Sequence, residues 1–160
     1  MPTAINSAKS DASANSYLSV AEATTILDDI YGAEDWATLS TEDKTRLLLT
    51  ATEQIDYITK SNLKSETLQA LNFPMIINNE EVGYNEARRC CAIQALYIYE
   101  NNDSIKSAVE ESIQNIKTQN FGKVQTTKSS SGVNFFKRYD PKVIKLLAPY
   151  LDGDAEIFRG

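Results

Sequence analysis

Residues 85–99, NEARRCCAIQALYIY, restrict the fold of this chain more than any other stretch. Ala87, Cys90, Cys91, Ile93, Ala95, Leu96, Tyr97, Ile98 and Tyr99 leave the second half of this segment apolar nearly all round. A helix of that kind has little surface to offer water and must be enclosed by its neighbours. The chain is therefore expected to form a small bundle around a central helix near 85–100, with no central parallel sheet.

Two flanking helices carry the stripes that such a centre needs. Ser19-Val20-Ala21-Glu22 has the spacing of a capping box, and Val20, Ala23, Leu27, Ile30 and Tyr31 recur at helical period, with Gly32 as a stop. This predicts a helix near 19–31. Trp36 and Leu39 fall in the connection, packed over the helix ends. Ser40, with Asp43 three residues on, opens a second helix near 41–60, whose stripe is Leu47, Leu48, Ala51, Ile55 and Ile58. Leu27, Leu48, Ile55, Cys91, Ala95 and Leu96 are expected in the core. Phe73-Pro74 reads as an extended pair, and residues 76–83 as a polar loop closed by Gly83.

The expected class is mainly α: a small helical bundle with an appended β-hairpin and a separately linked C-terminal helix plus extended tail. Residues 1–15, small and polar, read as a flexible N-terminal arm, and 16–112 as the bundle. Within the bundle a further helix starts at Ser104, with Ile105, Ala108 and Val109 on one face. Helical spacing runs on through Ile113 and Ile116. The alternation in IKTQNFGKVQTTK nevertheless favours a hairpin over 113–128. Residues 129–139 read as a linker. Asp140-Pro141 then supplies an N-cap and first-turn proline for a helix over 141–151. Residues 140–160 thus form a C-terminal helix and tail. The tail, DAEIFRG, either folds back on its own domain or is an arm for another chain.

Composition narrows the chemistry. The 160 residues are 42% apolar and 24% charged, as in a globular domain, with no histidine and a net charge of −6. Without histidine there is no Ser-His-Asp triad, Cys-His pair or HExxH zinc site. No glycine-rich phosphate loop is present, and Glu80-Glu81 and Glu110-Glu111 read as solvated pairs. No enzyme activity, metal or cofactor is expected. Cys90 and Cys91 are adjacent, about 100° apart on a helix, and read as buried thiols. No apolar run approaches the ~20 residues of a membrane span, and residues 1–16 lack an apolar leader core, so a soluble protein made in a reducing compartment is expected. The acidic balance disfavours a partner held by phosphates. The best nucleic-acid candidate is NFFKRY (134–139), where Phe135 and Phe136 precede Lys137, Arg138 and Tyr139.

Five stretches taken in order resemble the head-tail connector (adaptor) proteins of tailed bacteriophages, part of which is labelled as putative DnaT-like single-stranded DNA-binding protein. They are NSYLSVAEA (15–23), WATLSTEDKTRLLLTATEQID (36–56), LQALNFP (68–74), IKTQNFGKVQTT (116–127) and PKVIKLLAPYLDGDAEIFRG (141–160). One position departs: Met75 follows Phe73-Pro74 where that family has arginine. The resemblance implies a structural ring in the virion neck, commonly dodecameric, made in the host cytoplasm and seated under the portal protein. Double-stranded DNA would pass through its lumen without specific binding, and no membrane would be involved. Portal contacts would fall to Val143, Leu147, Tyr150, Asp154, Ile157, Phe158 and Arg159. Contacts with neighbouring copies or the next tail component would fall to Phe121, Lys123, Val124 and Gln125. The alternative that the same resemblance carries is a single-stranded DNA-binding protein.

Overall fold

The computed structural model describes residues 1–102 and 138–152. Helix α1 (Val20–Asp28) begins where the sequence predicts. The Ser19 hydroxyl accepts from the Glu22 N–H while the Glu22 carboxylate accepts from the Ser19 N–H, completing the capping box. A short helix, α2 (Glu34–Thr38), occupies the connection; its Trp36 indole is buried and donates to Thr24 Oγ1 at 3.1 Å. Ser40 caps α3 (Thr41–Ile58) by accepting from the Asp43 N–H. Helix α4 (Tyr84–Glu100) is the central one: residues from Cys90 to Leu96 are buried without a break. It packs against α1, α3 and a C-terminal helix, α5 (Pro141–Leu147). The six residues expected in the core are all buried. The protein is mainly α, with one small antiparallel hairpin among the described residues.

That hairpin lies where a polar loop was expected. Strand β1 (Met75–Ile77) pairs antiparallel with β2 (Glu80–Val82), Met75 opposite Val82 and Ile77 opposite Glu80. Asn78 and Asn79 form the two-residue turn at φ 53° and 64°, the left-handed region that asparagine tolerates better than most residues. Met75 is fully buried, so the position that departs from the resembled family is a core position. The hairpin expected over 113–128, the linker up to residue 137 and the tail from 153 lie outside the described residues.

The N-terminal residues are a packed strap instead of a free arm. Asn6 and Asn15 bind each other twice: the Asn6 N–H donates to Asn15 Oδ1 at 2.8 Å, and the Asn15 N–H to the Asn6 carbonyl at 2.9 Å. Asp11 offers its carbonyl to the Ala70 N–H at 3.1 Å, Ala14 is buried, and Ile5 packs against the core. Short polar side chains bond readily to nearby backbone, and here they order a segment with little to bury.

The C-terminal helix does not stand apart either. Val143 and Leu147 are fully buried, and Leu151 bridges to Thr59. Gln94, buried in α4, clamps the incoming chain. Its Nε2 donates to the Arg138 carbonyl at 2.8 Å and its Oε1 accepts from the Asp140 N–H at 3.0 Å. The Asp140 cap and Pro141 start α5 as predicted, but the α-helix ends at Leu147 and continues as a 3₁₀ turn, Ala148–Tyr150. Pro149 lacks the N–H that would continue the α ladder.

Candidate nucleic-acid interface

Gly83 links the hairpin to α4 and shapes the surface around it. Its φ is 81°, and a Cβ there would lie 2.5 Å from Phe73 Cε1 and 3.2 Å from Tyr150 Cε1. Only glycine allows both rings this close to the backbone. Phe73 and Tyr150 meet edge to face against it, centroids 5.2 Å apart. Helix α4 starts at Gly83 without a side-chain cap on its first N–H groups.

Beside this start lies an open groove of about 380 Å³, lined by Lys9, Glu81, Val82, Gly83, Tyr84, Asn85, Glu86 and Tyr150. Half-buried Tyr84 forms its aromatic wall, with its hydroxyl donating to the Ser7 carbonyl at 3.4 Å. Two cations flank the ring: Lys9 Nζ is 5.4 Å from its centroid and the Arg88 guanidinium 5.9 Å. Both are also ion-paired, Lys9 with Glu81 and Arg88 with Glu22 at 2.6 Å. The bond from the Ser19 N–H, with Arg88 adding to it, holds the Glu22 carboxyl below its ordinary value, whereas burial raises the Tyr84 phenol.

A tyrosine ring with two cations over it, beside a helix N-terminus, offers the elements that hold a nucleotide, the ring for the base and the cations and helix start for the phosphate. The carboxylates of Glu81 and Glu86 on the same walls weaken its pull on phosphate. Nucleophilic chemistry is not available from the thiols: burial pushes Cys90 and Cys91 up to about 12.

Of the residues predicted as portal contacts, Val143 and Leu147 are core and unavailable to a partner. Tyr150 alone reaches the groove; Asp154, Ile157, Phe158 and Arg159 lie outside the described residues. So do Phe121, Lys123, Val124 and Gln125. In NFFKRY, Tyr139 is buried and donates to the Gln54 carbonyl at 3.2 Å, so it is no stacking platform, while Arg138 is exposed. Sequence reasoning missed Lys9, Tyr84 and Arg88. The pair Tyr84 and Arg88 was visible as an i,i+4 neighbour pair; Lys9 carried no local signal.

The family described as "Putative DnaT-like ssDNA binding protein" matches residues 1–160. No curated protein and no solved structure matches the chain. This finding overturns the connector reading, with its virion, portal and ring assignments: the whole-chain match is to a family described by single-stranded DNA and not by a place in a neck. The chain belongs to the DnaT-like ssDNA-binding family.

Proposed function

We propose that the protein binds single-stranded DNA, stacking bases on tyrosine, and that it acts by binding and not by catalysis. The whole-chain family match carries this reading. The groove at the start of α4 supports it with Lys9, and Arg88 nearby, each placed over the Tyr84 ring. So does a local charge that the net value hides. Residues 112–139 contain Lys117, Lys123, Lys128, Lys137 and Arg138 with no aspartate or glutamate, in a chain of net charge −6.

Because carboxylates share the groove, stacking outweighs phosphate attraction. Each phosphate neutralised on a single strand contributes about −0.7 to the slope of log K against log salt. Two to four such contacts give a slope of roughly −1.4 to −2.8. Fluorescence anisotropy with a labelled oligothymidylate between about 50 and 200 mM salt measures it directly. The expected result is saturable binding with that slope, tighter than to a duplex of equal length, and weakened roughly 5- to 150-fold by Tyr84→Ala, the range for one lost stack. Absence of binding at the lower salt, or equal affinity for duplex, overturns the proposal.

A further inference from the structure

The contacts that lead away from the groove trace a longer path. Tyr150, on the groove wall, accepts through its carbonyl from the Lys60 N–H at 3.1 Å. Lys60 follows the extended C-cap of α3, Thr59, and lies three residues beyond Tyr57 in the chain. Tyr57 is 76% exposed, so its ring adds almost nothing to the fold.

The same edge continues to Arg138. Tyr139 donates to the carbonyl of Gln54, which is one turn before Tyr57 on α3. The Arg138 carbonyl is fixed by Gln94, which also donates to Gln54 Oε1 at 2.7 Å. The backbone at Arg138 is therefore held to the side of α3 that carries Gln54.

Aromatic and cationic residues thus alternate along one edge: Tyr84 with its two cations, Tyr150, Lys60, Tyr57 and Arg138. From Gln54 to Ile58, where α3 ends, the helix alone runs about 6 Å along its axis. Lys60 and Arg138 make no ion pair among the described residues, unlike Lys9 and Arg88. In a chain that is acidic overall, an exposed ring on α3, with Lys60 just after that helix and Arg138 tied to it through Gln94, complements a polyanion with stackable bases.

We infer that single-stranded DNA follows this edge, leaving the Tyr84–Tyr150 groove across the end of α3 to stack on Tyr57 with its phosphates beside Lys60 and Arg138. The inference rests on the single-stranded DNA reading above. It requires that strand length decide which residues matter.

The test compares full-length protein with Tyr57→Ala and Arg138→Ala on oligothymidylates of about 4 and about 12 nucleotides. Both variants should melt at the wild-type temperature, because both side chains are exposed. On the long strand Tyr57→Ala should lose roughly 5- to 150-fold in affinity, and Arg138→Ala should make the salt slope shallower by about 0.7. On the short strand both should stay within about twofold of wild type. If wild type binds the long strand and Tyr84→Ala weakens it, but these two variants bind like wild type, the path is wrong and the function stands. If wild type binds neither strand, the function falls and the path with it.

Discussion

Asp56 keeps its carboxylate where burial opposes the charge. It accepts from the Tyr17 hydroxyl and from the Asn72 N–H at 3.3 Å, yet burial outweighs these bonds and raises it above 3.8. The folded protein therefore holds that proton more tightly than the unfolded chain does. Its contribution to stability is full below about pH 3.8 and is lost as pH rises through the folded value. Glu22 has the opposite sign. It is lowered from 4.5, so its contribution is present above that value and is lost as pH falls through the folded one. In urea unfolding followed by Trp36 fluorescence, the stability of wild type relative to Asp56→Asn should rise between about pH 7 and 4. Relative to Glu22→Gln it should fall over the same range. Slopes of the same sign for both variants would contradict the assigned environments. Gly83 offers a sharper residue-scale test. Forcing φ 81° on alanine and driving its Cβ into Phe73 should cost roughly 2–4 kcal/mol, read as a lower urea midpoint.

At the scale of elements, cap chemistry made helix starts legible. Ser19, Ser40 and Asp140 each cap the helix that the sequence assigns to them. Helix ends and neighbours were less legible. The β1–β2 turn depends on Asn78 and Asn79 entering the left-handed region, a weaker signal than Asn-Gly, and its strands have three residues each. Docking of α5 depends on Gln94, whose neighbours in sequence give no hint that it faces a loop 44 residues away. Gln94→Ala leaves the Arg138 carbonyl and the Asp140 N–H without this partner. Both groups are only partly buried and regain some hydration, so a loss of roughly 1–3 kcal/mol in all is expected in the same urea assay. A variant as stable as wild type would show that the clamp contributes nothing to docking.

At the scale of the whole molecule, one core joins the N-terminal strap, the four longer helices and the hairpin. The strap should therefore open only with the rest. Trypsin cleavage after Lys9 is expected to track global unfolding in urea, measured by mass spectrometry of the released peptide; cleavage well before the transition would mark the strap as an independent, frayed segment. The candidate site is also a property of the whole: Ser7 and Lys9 meet Tyr84 and Glu81 across 77 and 72 residues of chain. What the sequence determined by itself is local. Apolar periodicity, capping residues and the enclosed helix at 84–100 follow from interactions within about four positions, and they dictate a mainly helical bundle. Only the tertiary structure decided that the strap and α5 fold back, and that Tyr84, Tyr150 and Lys9 share one groove. Those outcomes rest on pairings between distant residues, which no local pattern records.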